Sequence, residues 1–136
     1  PGPESNKPLK RLRVLVVDDN RDAADSLHLL LQALGQDAYV VFDGKTAIEA
    51  VHRWHPQVVL LDIGMPGISG YEVADSLRAS LGKDAPVLAA VTGWGQEADK
   101  RVAQARGFNY HFTKPVGTGA LQDLLSAVAE TRLEKP

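Results

Sequence analysis

The sequence predicts an α/β domain in which one parallel sheet is covered by helices on both faces. Two observations carry this. Val58-Val59-Leu60-Leu61 and Leu12-Arg13-Val14-Leu15-Val16-Val17 are nearly unbroken apolar runs, the pattern of strands buried on both sides. Strand-like and helix-like stretches also alternate about five times with short connections, and right-handed crossovers make such strands parallel.

Taken in order, Pro1 to Lys10 is rich in Pro and polar residues and lacks periodicity, which marks a tail or linker. Leu12 to Val17 is the first strand, ending in Asp18-Asp19-Asn20. The first helix carries Ala23, Leu27, Leu30 and Leu34 at spacings of three and four and closes on Gly35. Asp37 to Phe42 is a shorter strand with β-branched and aromatic residues. Asp43-Gly44 leads into a second helix expected to bury Ala47, Val51 and part of Trp54 before Pro56 stops it.

The third strand, Val58 to Asp62, runs into the turn-rich Gly64-Met65-Pro66-Gly67, and Ser69-Gly70-Tyr71-Glu72 then fits a capping box. The third helix is expected to reach about Ser80 on Val73, Leu77 and Leu81. Pro86 to Val91 is the fourth strand, ending at Thr92-Gly93, and a fourth helix on Ala98, Val102 and Ala105 stops at Gly107. Asn109 to Phe112 leads to Thr113-Lys114-Pro115. Gly117 is a weak cap, so the last helix is expected to start loosely or at Thr118. It buries Leu121, Leu124, Leu125 and Val128, and residues 132–136 are expected to fray.

The 136 residues suit one domain, and 44% hydrophobic with 24% charged content is ordinary for a globular protein. A net charge of -2 makes no electrostatic case for nucleic acid or a membrane surface. Without cysteine there is no disulfide framework, which fits a reducing, cytoplasmic setting. The longest apolar runs fall far short of the ~20 residues of a membrane span, and no signal-peptide pattern is present. A chain that opens on Pro1 reads as an excised or processed piece.

In a parallel sheet the strand C-termini share one edge, where open α/β folds bind ligands. Asp18 and Asp19 end the first strand, Asp62 the third, Thr92 the fourth and Lys114 the fifth; the second contributes nothing comparable, as expected of an outer strand. Taken singly, Asp18 and Asp19 also fit a helix cap, Thr92-Gly93 a turn and Lys114 a solvated lysine, and for Asn20 the cap is the favoured reading. Together they describe one pocket. Clustered carboxylates repel, and a hard divalent cation with oxygen ligands relieves them. Such a cation draws in a phosphoryl group, whose remaining oxygens suit the Lys114 ammonium and the Thr92 hydroxyl. Asp62 is then placed as a carboxylate nucleophile able to form an acyl phosphate.

The set Asp18-Asp19, Asp62 with Met65-Pro66 and Gly70, Thr92-Gly93 and Lys114-Pro115 resembles the receiver domain of two-component response regulators, over residues 11–131. The resemblance implies a flavodoxin-like (βα)5 three-layer sandwich with strand order 2-1-3-4-5. That order is known from members of the same family, so it comes with the resemblance and not from the spacing of the residues. The resemblance implies that Asp62 takes a phosphoryl group from a histidine kinase or a histidine phosphotransfer domain. Asp19, Asp62 and the Gly64 carbonyl would bind Mg²⁺, with Asp18 acting through water. Lys114 would pair with the phosphoryl group, next to a cis bond to Pro115. Thr92 would swing toward the phosphoryl group and bias the surface of the fourth helix, fifth strand and fifth helix.

Three positions depart from the common pattern. His111 stands where the family often has a Tyr or Phe switch; its other reading is a half-exposed strand histidine. Gly64 and Trp94 occupy the two positions that tune water access to the phosphoaspartate. The resemblance also implies a protein that is no turnover enzyme, a monomer or weak dimer without direct nucleic-acid binding. The stretch Thr92 to Glu97, with His111, leans toward the receiver of a hybrid histidine kinase, with a stand-alone regulator as the alternative. Two other classes compete. An Asp-nucleophile, Mg²⁺-dependent phosphatase should carry a second Asp two residues after its nucleophile, where this chain has Gly64. A phosphorylation-independent scaffold should have lost part of the acid-Thr-Lys set.

Overall fold

A computed structural model describes residues 9–93 and 97–134. Its elements alternate strictly: β1 Arg13–Val17, α1 Arg21–Ala33, β2 Asp37–Val41, α2 Gly44–Trp54, β3 Val58–Asp62, α3 Gly70–Leu81, a 3-10 turn Gly82–Asp84, β4 Val87–Thr92, α4 Glu97–Ala105, β5 Tyr110–Thr113 and α5 Thr118–Glu134. The five strands form one parallel sheet of order β2-β1-β3-β4-β5. This is the flavodoxin-like order, with β2 at the outer edge.

The unbroken apolar strands follow from two-sided burial. All five β3 residues are buried. Leu15, Val17, Val59 and Leu61 pack on one face under α2 and α3, against Val51, Val73 and Leu77. Val14, Val16, Val58 and Leu60 pack on the other under α1 and α5, against Ala24, Leu31, Leu121 and Leu125. The cysteine-free core is thus two apolar layers with the sheet between them.

Local chemistry sets the helix starts. Asn20 caps α1 by accepting from Ala23 N–H, Asp43 caps α2 from Thr46 N–H, and Ser69 with Glu72 forms the full capping box of α3. The Thr46 bonds hold the Asp43 carboxyl below the usual Asp value. α2 ends on His55, whose positive φ of 54° turns the chain ahead of Pro56. The Arg13 guanidinium grips the freed His55 carbonyl at 2.7 Å.

Two helix faces differ from expectation. In α1 the buried residues are Ala24 and Leu31, while Ala23, Leu27, Leu30 and Leu34 are only half-buried. Leu27, Leu30 and Leu34 pack at the margin of the same core layer as Ala24 and Leu31. In α4 the buried residue is Ala103, while Val102 is 41% exposed and Ala105 is exposed; the side chain of Ala98 lies outside the described residues. The small Ala103 side chain packs with Phe108 in the core, and the bulkier Val102 is turned outward. α5 starts at Thr118 and continues to Glu134, beyond the Thr131 limit drawn from the sequence.

α3 is clasped to the end of α4. Arg78 donates to the Arg106 carbonyl and stacks over Phe108, and Arg106 pairs with Asp75 at 2.7 Å and lies over Tyr71. Gly107, at φ 86°, leaves no room for a Cβ beside the Arg78 guanidinium.

Candidate functional site

Parallel register brings the candidate residues to one edge. Val17 pairs with Leu61, Asp62 with Val91 and Thr92 with Thr113. The ladder continues past the strand ends through Ile63 N–H to the Val91 carbonyl at 3.1 Å and Lys114 N–H to the Thr92 carbonyl at 2.8 Å. The loops that carry the chemistry are therefore tied to the sheet.

Behind Asp62, Gly70 lets the start of α3 press onto the strand end. A Cβ there would stand 2.6 Å from the Asp62 carbonyl oxygen and 2.8 Å from Ile63 Cα. Only glycine fits without moving backbone. Gly64 is different, since a Cβ there would meet nothing closer than Asp62 Oδ1 at 3.8 Å. Its N–H donates to that same oxygen at 3.0 Å.

The acids and the lysine form one cluster. Carboxylate oxygens of Asp18, Asp19 and Asp62 lie within 4.8 Å of one another, with Asp18 and Asp62 buried and Asp19 exposed. The Lys114 ammonium reaches Asp18 Oδ2 at 2.8 Å and Asp62 Oδ2 at 3.4 Å. The other Asp18 oxygen accepts from Asn20 N–H at 2.9 Å. The Lys114–Pro115 peptide is cis.

Burial pushes the Asp62 carboxyl up to about 6, and the neighbouring Asp18 charge adds to the push, against the Gly64 N–H and the Lys114 charge. For Lys114, burial works against the charged form, but the Asp18 hydrogen bond and the Asp62 and Asp18 charges leave it above the usual lysine value. The cluster is short of positive charge, and Lys114 alone does not compensate it.

The donor set suits a small, hard dication. The three carboxylates gather oxygen donors within 4.8 Å of one another, within reach of one hard cation. All three offer oxygen, and Asp19 faces solvent.

Thr92 is 1% exposed. Its hydroxyl lies 3.2 Å from His111 Nε2 and donates toward the Phe112 carbonyl at 3.4 Å. Trp94 lies outside the described residues.

One feature escaped the sequence. A groove of about 640 Å³ runs from the acid cluster along α1, walled by Ala23, Leu27 and Leu30 on one side and by Lys114, Pro115 and Val116 on the other. Its signal was the width of the apolar face of α1, whose Leu27 and Leu30 pack on the core and also line the groove. Arg21, at the start of α1, stacks on Phe42, 4.1 Å from the ring centre.

Among the described residues, no helix is long and apolar enough to cross a membrane. Solved structures match the fold closely. The signal receiver domain of a modulated diguanylate cyclase from Desulfovibrio desulfuricans G20 is 27% identical, with a TM-score of 0.78, over 93% of this chain and 100% of that one. The receiver domain of Francisella response regulator 1452 matches at 22% identity and a TM-score of 0.80, covering 90% of this chain and 99% of that one. A Saccharomyces cerevisiae structure, in which the receiver domain of Ssk1 is co-crystallised with the histidine phosphotransfer protein Ypd1, matches at 23% identity and a TM-score of 0.84 over 93% and 94% of the two chains. The family model of the response regulator receiver domain matches residues 14–126. With the sheet order, the strand-end acids and that match agreeing, this chain belongs to the response regulator receiver domain family of two-component signalling.

Proposed function

We propose that this domain, spanning residues 11–131, accepts one phosphoryl group on Asp62 from a phosphohistidine and passes on the resulting charge as a conformational signal. The observation that carries this is the Lys114 ammonium held between Asp18 and Asp62 at the sheet edge. An Asp62 carboxylate oxygen forms the new bond to phosphorus as the donor P–N bond breaks, and the released imidazole takes a proton from solvent. Lys114 is within reach to follow an incoming phosphoryl oxygen, and the Gly64 N–H keeps Asp62 oriented.

Asp19, Asp62 and the Gly64 carbonyl are the residues to hold Mg²⁺. Asp18, whose oxygens serve Asn20 and Lys114, acts through water, as the family resemblance implies. When bound, the metal neutralises the acids and polarises the phosphoryl oxygens. The donor is a histidine kinase or a histidine phosphotransfer domain, as the Ypd1 partner of the yeast neighbour suggests. The apolar groove along α1 offers it a seat that leads to Asp18 and Lys114, the two partners beside Asp62. Thr92 then turns from β5 toward the phosphoryl group, which biases the surface of α4, β5 and α5 between two populations. Gly64 and Trp94 set how long the acyl phosphate survives. The domain passes on signals rather than turning over substrate. The Thr92 to Glu97 stretch and His111 favour a hybrid histidine kinase as the parent chain.

Intact mass after incubation with Mg²⁺ and acetyl phosphate tests the proposal. One phosphoryl adduct is expected, absent in Asp62→Asn and without Mg²⁺. An adduct that survives Asp62→Asn overturns the assignment of Asp62, and no adduct with acetyl phosphate or a phosphohistidine donor favours a scaffold. Steady hydrolysis of varied phosphate esters points to a phosphatase.

A further inference from the structure

The Thr92 hydroxyl has one proton and a histidine nitrogen on its flank. In the structure the oxygen stands 3.2 Å from His111 Nε2 and 3.4 Å from the Phe112 carbonyl, both on β5. A carbonyl only accepts, so when the Thr92 proton points to Phe112 the Nε2 must donate. When the proton points to His111 the Nε2 must accept. Both arrangements satisfy the resting pair, and the tautomer is free to vary.

A phosphoryl group on Asp62 removes that freedom. Its oxygens only accept, so a Thr92 hydroxyl that engages one gives up its single proton. The contact with His111 then survives only if Nε2 carries a hydrogen. A ring protonated at Nδ1 alone would set two lone pairs against each other beside a buried oxygen, which is costly. The ring also borders a cleft of about 260 Å³ between α4 and β5, lined by Ala103, Gln104, Phe108, Asn109 and Tyr110.

Resting on the proposed phosphorylation of Asp62, we infer that His111 is a positioning residue whose Nε2–H orders the Thr92 hydroxyl for the phosphoryl oxygen. The phosphorylated state thereby selects the Nε2-protonated ring. A phenyl ring at this position would fill the same space and supply no donor. The imidazole is therefore a hydrogen-bonding part of the switch, and the charge on Asp62 reaches the cleft between α4 and β5 through two consecutive hydrogen bonds.

Two measurements test this. Ring ¹⁵N spectra of the whole domain, with and without Mg²⁺ and beryllofluoride as the phosphoryl mimic, should show His111 Nε2 protonated in the adduct. An unprotonated Nε2 there overturns the inference. Beryllofluoride titrations of His111→Phe and His111→Gln supply the second readout. Losing the donor in His111→Phe should weaken binding about five- to tenfold, and His111→Gln, which keeps an N–H, should stay within about twofold of wild type. Wild-type binding by His111→Phe, or equal losses in both variants, rejects the role of the N–H. Failure of the wild-type domain to bind beryllofluoride or take a phosphoryl group would instead reject the phosphorylation of Asp62.

Discussion

The Lys114 ammonium stands 2.8 Å from Asp18 and 3.4 Å from Asp62, so it is shared between the two buried acids. It does part of the work of a dication and should compete with one. Lys114→Met is expected to bind Mg²⁺ more tightly, by about tenfold at the effective dielectric of such sites, and to accept a phosphoryl group far more slowly. Titration calorimetry gives the first quantity and intact mass against time the second. Weaker Mg²⁺ binding by the variant would show that Lys114 organises the acids rather than competing for them.

The raised Asp62 carboxyl makes stability depend on pH in a defined direction. Its value in the fold is about 6 against 3.8 for an ordinary Asp. Its contribution is therefore fully present below about 3.8 and is lost as pH rises through about 6. Without metal near pH 8, Asp62→Asn should be more stable than wild type by on the order of 2–3 kcal/mol, and the gap should close near pH 4. Urea unfolding with a chelator at both pH values measures this, and added Mg²⁺ should shrink the gap at pH 8.

How much was legible beforehand follows from the physics of each element. Two-sided burial wrote the strands as apolar runs, and the parallel sheet put Asp18, Asp62, Thr92 and Lys114 on one edge; the acids and Lys114 meet there, while the Thr92 hydroxyl is turned to His111 and Phe112. The helix faces were less legible. Hydrophobic spacing ranked Val102 above Ala103, yet close packing beside Phe108 selected the smaller side chain. In α1, Leu27 and Leu30 pack at the margin of the core and also wall the groove, a double role that spacing does not show. Lys114 shared by two acids depends on side-chain placement, which no sequence pattern carries.

Gly64 is a position where a side chain is admissible. A Cβ would sit 3.8 Å from Asp62 Oδ1, in ordinary contact, and the φ of Gly64 is not among the positive ones. Gly64→Ala should therefore gain about 0.4–1 kcal/mol from a stiffer unfolded chain. The added methyl also crowds water approaching the acyl phosphate, so the phosphoryl group should persist longer. Denaturant unfolding and the decay of the phosphorylated mass report the two effects separately.

Gly70 is the opposite case, although both glycines adjoin Asp62. Its hypothetical Cβ meets the Asp62 carbonyl oxygen at 2.6 Å and Ile63 Cα at 2.8 Å, both backbone atoms that cannot rotate away. Gly70→Ala must push α3 off the end of β3 or shift the strand end itself. A loss of about 2–4 kcal/mol is expected, the upper range for overpacking. Because the displaced atoms belong to Asp62 and Ile63, the folded fraction should also charge poorly with acetyl phosphate. Urea unfolding followed by mass spectrometry under folding conditions separates these losses. A variant that is destabilised but charges at the wild-type rate would show that α3 takes up the strain and leaves Asp62 in place.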